Sequence, residues 1–85
     1  LRKQIDEIDM SILEILEKRM RISREIGQYK KEHDMAILQS KRYDEIISKR
    51  VADGKTMSMG EDFLNTIYEA IHAESVRQQM EIMNK

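Results

Sequence analysis

The sequence predicts an all-α fold of three helices, of which one is long, one is short and one is of medium length. Proline is absent, glycine occurs only three times, and Ile, Leu, Met, Glu and Lys dominate the 85 residues. This composition is typical of helical proteins, because proline and glycine are the residues that disfavour helices most. Apolar side chains also recur at intervals of three and four residues, which is the spacing of one helix face.

The first helix is predicted to run from about Arg2 to His33, a length of roughly 45 Å at 1.5 Å per residue. Alternate steps of four and three residues form a single stripe: Leu1, Ile5, Ile8, Ile12, Ile15, Arg19, Ile22, Ile26 and Tyr29. A helix of this length cannot bury such a stripe by itself. We therefore expect other helices to cover it.

The second helix is predicted to be short. The segment 33–36 loses the stripe spacing and is the expected break, and Ser40 is the expected cap of the new helix. Its apolar positions are Ile46, Ile47 and Val51. Asp53 and Gly54 are the expected stop signal, because glycine often follows the last residue of a helix.

The third helix is predicted to begin after Ser58 and to end at about Met83. Ser58 and Glu61 have the spacing of a capping box, in which each side chain accepts a hydrogen bond from the other residue's backbone N–H. The apolar positions of this helix begin with Leu64, Ile67 and Ile71. Ser75 and Gln79 continue the same stripe and interrupt it with polar side chains.

Two cations of the first helix point in roughly the same direction. Arg19 is the single charged residue of the first stripe, and Lys30 lies eleven positions beyond it, which is about three turns. A buried guanidinium without a carboxylate partner is costly, so the missing counter-ion could be a ligand. Together with Ser75 and Gln79, these residues suggest a polar pocket inside a helical bundle.

A purely structural interpretation of these four residues stays open. Arg19 could reach solvent over a packed stem, and Lys30 could be a cation favoured by the dipole near a helix C-terminus. Ser75 could bond to its own helix, and Gln79 could lie at an exposed edge.

Composition excludes several other classes of protein. The net charge is −1 from nearly balanced cations and anions, so no global field attracts the chain to nucleic acid or to an anionic membrane. Cysteine is absent, which excludes disulfides and thiolate zinc sites. His33 and His72 lack metal-ligand spacing and are interpreted as ordinary surface or packing residues.

The chain is expected to form one small domain over residues 1–85. No segment approaches the roughly 18 apolar residues of a membrane span, and the N-terminus lacks a signal-peptide pattern. A soluble protein of the cytoplasm is therefore expected. So small a domain buries little surface and needs further support for its stability.

Five short motifs occur in a fixed order along the chain. They are Leu1-Arg2 with Ile5-Asp6-x-Ile8-Asp9, Leu16-x-x-Arg19, Ile26-Gly27-x-x-Lys30, Arg42, and Glu74-Ser75-x-x-x-Gln79. In this order and at these separations, they resemble the all-helical class of chorismate mutases over essentially the whole chain. The resemblance leaves open whether the domain is free-standing or fused to another enzyme of aromatic biosynthesis.

The resemblance implies an intertwined homodimer of two three-helix chains, in which the long first helices span both halves. It also implies that Arg2 crosses into the pocket of the other chain. The spacing agrees with this, since Arg2 precedes Arg19 by seventeen residues, roughly 26 Å along a straight helix. The two residues of one chain could not both reach one small ligand.

The resemblance further implies an isomerase that converts chorismate to prephenate, the branch-point step toward phenylalanine and tyrosine in the shikimate pathway. Chorismate carries two carboxylates, and its rearrangement is an intramolecular pericyclic step that needs no nucleophile, metal or cofactor. An enzyme assists by holding the enolpyruvyl ether over the ring. It also directs donors at the ether oxygen, where negative charge grows as the C–O bond breaks.

The same resemblance assigns roles to individual residues. Arg19, Arg42 and Arg2 of the other chain would bind the substrate carboxylates, and Ser75 would donate to a carboxylate. Lys30 and Gln79 would flank the ether oxygen as catalytic donors. Because an amide donates at any ordinary pH, activity is expected not to require acid.

Two positions depart from the family pattern. Tyr43 stands where many members have an acidic residue that accepts a hydrogen bond from the substrate ring hydroxyl, and Gln39 stands where an aspartate is common. Both remain candidate binding residues, with the tyrosine oxygen as a substitute acceptor. We expect the changes to affect affinity and rate rather than the type of reaction.

Three alternatives remain at this point. The first is a non-catalytic dimerisation or regulatory module of the same fold. The second, a DNA-binding bundle, is disfavoured because no helix carries a basic stripe. The third is a pericyclic enzyme that acts on isochorismate.

Overall fold

The computed structural model describes residues 1–85 and contains three helices and no strand. Helix α1 spans Arg2–Glu32, α2 spans Ser40–Lys55 and α3 spans Glu61–Met83. They contain 31, 16 and 23 residues, so the prediction of one long, one short and one medium helix is confirmed. The chain is elongated, with extents of 47 × 27 × 14 Å.

Helix α3 is the central element, because it packs against both α1 and α2. Glycine permits the closest approach at each of these two contacts. A Cβ atom on Gly27 would lie 3.0 Å from the Cα atom of Gln79, and one on Gly54 would lie 2.5 Å from a methyl of Leu64. A larger residue at Gly27 would press on the backbone of α3, and one at Gly54 would require the Leu64 side chain to move.

The predicted start and stop of the second helix are wrong in detail. Ser40 is the first residue of α2, and Gln39 occupies the cap position without a side-chain hydrogen bond. Gly54 lies inside the last turn of α2, and the helix ends at Lys55. Gly54 therefore packs closely against Leu64 and does not terminate the helix.

The predicted capping box of the third helix is also wrong. Gly60 occupies the cap position of α3, no side chain caps it, and Glu61 is already helical. Ser58 has a φ of 65° in the preceding turn. This left-handed conformation takes its hydroxyl out of capping geometry, whereas the predicted end of the helix at Met83 is confirmed.

The N-terminal half of α1 carries an apolar surface that nothing in this chain covers. We define the exposed α1 stripe as Leu1, Ile5, Ile8, Ile12 and Ile15, whose exposed fractions lie between 48% and 99%. Only Val51 and Leu64 are buried apolar residues. The chain thus leaves many of its large apolar side chains exposed to water. None of its helices has both the length and the apolar character needed to cross a membrane.

Candidate active site

A cavity of about 710 Å³ is formed by side chains from all three helices and from the loop between α1 and α2. Its size lies within the range of small-molecule sites, which hold roughly 300–1,000 Å³. Its walls are mainly apolar, and a limited set of polar groups projects among them. Such a combination orients a ligand through a few specific contacts.

The structure brings seven of the eight predicted site residues around this cavity. They are Arg19, Lys30, Gln39, Arg42, Tyr43, Ser75 and Gln79. The eighth, Arg2, does not line the cavity and belongs to the first turn of α1. Its position agrees with the prediction that Arg2 and Arg19 of one chain cannot share a ligand.

Ser75 connects α3 to α1 through a network of hydrogen bonds. The Arg19 guanidinium donates to Ser75 Oγ over 2.6 Å, and the Ser23 hydroxyl donates to the same oxygen over 3.1 Å. The Ser75 hydroxyl itself is directed at Met20 Sδ, 3.7 Å away. Ser75 is only 6% exposed, so these contacts place it inside the bundle and exclude the interpretation that it bonds to its own helix.

The sequence leaves open whether the Arg19 guanidinium is buried or reaches solvent. In the structure the residue is exposed and also lines the cavity. It forms no ion pair, and its hydrogen-bond acceptor is a neutral hydroxyl. Since a guanidinium has five N–H donors, most of its capacity to bind a carboxylate is available.

Lys30 and Gln79 form the second polar contact between α1 and α3. Lys30 Nζ donates to Gln79 Oε1 over 3.1 Å and to the backbone carbonyl of Ile37 over 2.8 Å. Gln79 is 8% exposed, and the absence of a side chain at Gly27 allows its backbone to approach α1. Because Oε1 accepts from Lys30, the Nε2 group keeps both of its hydrogens for a ligand.

The lining of the cavity carries an excess of cations, although one of them, Arg50, lies 3.7 Å from the Asp53 carboxylate outside the lining. The lining contains Arg19, Lys30, Arg42 and Arg50 but no aspartate or glutamate. Burial, followed by the charge of Arg42, lowers the pKa of Lys30 from its ordinary value of 10.5. Both effects disfavour an unpaired ammonium, so an anion in the cavity would stabilise the charged form of Lys30.

Sequence reasoning missed His72 and Arg50. His72 was interpreted as an ordinary residue, but it lines the cavity and stacks on Tyr43 with ring centroids 3.8 Å apart. Burial lowers the pKa of His72 from 6.5, and Arg19 and then Lys30 lower it further. Its position three residues before Ser75 and seven before Gln79 was the available signal, because that spacing marks one helix face.

His33, the other histidine, has no place in this cavity. Its ring stacks on Tyr29 with centroids 4.0 Å apart, and its Nδ1 lies 2.8 Å from the Tyr29 carbonyl oxygen. The residue is exposed at the C-terminal end of α1. The interpretation of His33 as a surface residue therefore agrees with the structure.

Three curated relatives align with almost the whole chain at low identity. A bifunctional chorismate mutase/prephenate dehydratase of Buchnera aphidicola subsp. Acyrthosiphon pisum (strain APS) is 27% identical over 84 residues, which are 99% of this chain and 22% of that protein. The T-protein of Enterobacter agglomerans is 25% identical over 75 residues, which are 88% of this chain and 20% of that protein. A 4-amino-4-deoxychorismate mutase of Streptomyces pristinaespiralis is 27% identical over 81 residues, 95% of this chain and 63% of that protein.

The chain thus spans about a fifth of the length of the first two relatives and 63% of the third. No solved structure matches it. The family model described as chorismate mutase type II matches residues 1–80, a range that includes all three helices up to the last turn of α3 and every polar residue of the cavity. The chain therefore belongs to the chorismate mutase type II family.

Proposed function

We propose that the chain catalyses the rearrangement of chorismate to prephenate. The observation that carries this proposal is the charge of the cavity, which has four cations and no carboxylate in its lining. Such a site suits a compact dianion, because each substrate carboxylate can pair with a cation. A pericyclic reaction needs no more than positioning and electrostatic stabilisation, and the polar groups of the cavity supply both.

In this proposal, Arg19 and Arg42 bind the two carboxylates. Guanidinium suits the task because it forms two parallel hydrogen bonds with a carboxylate. Arg19 is already oriented by its contact with Ser75, which itself donates to the bound carboxylate. Gln39 and Tyr43 complete the binding residues on the α2 side.

Lys30 and Gln79 are the proposed catalytic donors at the ether oxygen. The contact of 3.1 Å between them allows both to lie against a single acceptor atom. Lys30 contributes a positive charge in a partly desolvated position, where its interaction with developing negative charge is strengthened. Gln79 contributes a neutral donor whose state does not change with pH.

The active form is proposed to be a homodimer in which Arg2 enters the cavity of the other chain. The exposed α1 stripe supports this proposal, since burial against a second copy would remove a contiguous apolar surface from water. Arg2 lies at the end of that stripe. The same contact between two copies would bring Arg2 to the cavity of the other chain. The bifunctional name of one relative also supports a role within a larger enzyme of aromatic biosynthesis.

Two other substrates deserve comparison with chorismate. One relative is named for 4-amino-4-deoxychorismate, which has an amine in place of the ring hydroxyl, and isochorismate has the hydroxyl at a different position. An aliphatic amine is protonated near neutral pH. The cavity offers such an ammonium no carboxylate, so chorismate is the better candidate of the two 4-substituted compounds.

The test is to mix the purified chain with chorismate, to follow its loss by ultraviolet absorbance and to identify the product. Formation of prephenate by the wild type supports the proposal, and isochorismate assayed in parallel tests the alternative substrate. If a folded dimer turns over none of these compounds, the proposal fails. A non-catalytic regulatory module then becomes the better interpretation.

A further inference from the structure

Tyr43 and His72 form an aromatic pair between α2 and α3 that faces the cavity. Their rings lie 3.8 Å apart at an interplanar angle of 29°, and both residues line the cavity. The charges of Arg19 and Lys30 both act on His72. The pair therefore lies close to the two cations that, in the proposed function, bind a carboxylate and the ether oxygen.

The polar atoms of this pair are available to a ligand. Ser75 Oγ and Gln79 Oε1 are already engaged by Arg19 and Lys30. In contrast, the Tyr43 hydroxyl and the His72 ring nitrogens form no hydrogen bond within the chain, although both residues are half-buried. No side-chain polar atom of the chain is both fully buried and unpartnered, so these atoms are accessible to water, which a polar group of a ligand can replace.

We propose that the stacked Tyr43–His72 pair determines substrate specificity by accepting a neutral ring hydroxyl and excluding a charged ammonium. The inference rests on the proposed function and deepens it. A hydroxyl can donate to or accept from a neutral phenol or imidazole. An ammonium would lose its hydration beside four cations without gaining an anionic partner, and such a mismatch is how a site rejects the wrong ligand.

The charge state of His72 supports this assignment. Its pKa is lowered from 6.5 by burial and by Arg19 and Lys30, which keeps the ring neutral near pH 7. Lys30 and Arg19 face it from α1, and Arg42 adjoins the pair on α2. Because the lining contains no aspartate or glutamate, the cavity has no negative group that could pair with a substrate ammonium.

The experiment compares kcat/KM for chorismate and for 4-amino-4-deoxychorismate near pH 7.5. We expect the wild type to favour chorismate by about tenfold or more, because a desolvated charge without a partner is strongly disfavoured. Tyr43→Glu should shift the ratio toward the amine by about tenfold, since it adds the missing carboxylate. Tyr43→Gln has a similar size without the charge and should leave the amine disfavoured.

Ser48→Glu is the matched control for added charge. Ser48 is exposed on α2 and does not line the cavity, so this variant should keep the wild-type ratio. His72→Phe keeps a stacking ring but loses both nitrogens, and it should raise KM for chorismate more than it lowers kcat.

The results distinguish failure of this inference from failure of the proposed function. Equal use of both compounds by the wild type overturns the inference and leaves the proposed function intact, whether or not the variants fold. A shift toward the amine in Tyr43→Gln as large as that in Tyr43→Glu also overturns it, because charge would then not be the cause. Turnover of neither compound by a folded wild type overturns the proposed function and this inference with it.

Discussion

Arg19 reaches from α1 to Ser75 without forming an ion pair, so a ligand carboxylate is its natural counter-ion. Replacing it by alanine removes a charge-assisted hydrogen bond, worth about 1.5–3 kcal/mol. Arg19→Ala should therefore lower kcat/KM for chorismate by about tenfold or more. Steady-state kinetics with circular dichroism would measure both activity and folding.

Arg21→Ala is the control for that measurement, because Arg21 is an exposed arginine on the same helix and does not line the cavity. Its kinetics should match those of the wild type. A folded Arg19→Ala variant with full activity would mean that the cavity is not the site.

The lowered pKa of Lys30 predicts how activity falls at alkaline pH. Burial and Arg42 lower its pKa from 10.5, so the free protein loses this cation at a lower pH than an ordinary lysine would allow. A bound dianion stabilises the ammonium and raises its pKa again. The alkaline fall should therefore begin at a lower pH in kcat/KM, which reports the free enzyme, than in kcat.

The acid side of the same profile tests Gln79. An amide needs no proton to donate, so kcat should stay level between about pH 6 and pH 8. A steep loss of kcat as the pH rises from 6 to 8 in the wild type would contradict the role of a neutral donor.

The Lys30→Arg variant tests the alkaline side, because its guanidinium remains charged. The fall of activity at alkaline pH should be absent from the activity that this variant retains.

At the scale of the helices, Gly27 controls how closely α1 approaches α3. A methyl group there would lie 3.0 Å from the backbone of Gln79 and 3.3 Å from its Cβ and Cγ atoms. Alanine favours a helix by up to about 1 kcal/mol over glycine, but overpacking against backbone costs about 1–3 kcal/mol. Gly27→Ala should therefore lower the free energy of unfolding and, because Gln79 is displaced, lower kcat as well.

Urea unfolding and kinetics on the same preparation would measure both effects. Gly60→Ala is the matched control, since its methyl would meet no atom within 4 Å; it should change stability by less than about 1 kcal/mol and leave kcat unchanged. Unaltered stability and kcat in Gly27→Ala would show that the helices adjust without cost.

The helices could be predicted from the sequence because periodicity over many residues determines them. The predicted limits at Arg2 and Met83 agree with the structure. The predictions for Ser40 and Ser58 failed because each rested on one local capping signal. Gly54 was misread because its role depends on Leu64, a residue in another helix, and such contacts leave no local pattern.

The candidate site was predictable to a similar degree. Arg19, Ser75 and Gln79 interrupt apolar stripes, and Lys30 points in the same direction as Arg19. The structure places all four around one cavity. His72 was missed because a single histidine fits a surface, a core or a site equally well. Its spacing from Ser75 and Gln79 was the one available signal, and its stacking on Tyr43, which lies on a different helix, could not be read from the sequence.

For the whole molecule, the proposed dimer makes each site dependent on two chains. Arg2→Ala and Arg19→Ala should each keep about a tenth or less of the wild-type activity alone, but a mixed dimer of the two contains one site with both arginines intact. Random exchange of subunits should therefore restore about a quarter of wild-type activity, because half of the dimers are mixed and each has one good site.

Activity measured before and after the two variants are unfolded and refolded together would reveal this recovery. Each variant refolded alone is the control and should show no gain in activity. Absence of recovery in a mixture that forms dimers would place Arg2 outside the site of the other chain.

The scarcity of interior residues has a further consequence. With only Val51 and Leu64 as buried apolar side chains, a solitary chain has little to hold its helices together, so folding and pairing should be one event. Its melting temperature should rise with protein concentration, as mass action requires when the folded unit contains two chains. Dilution would then shift the equilibrium toward unfolded chains. The amount of chain that a cell makes would determine how much of it is folded and protected from proteolysis.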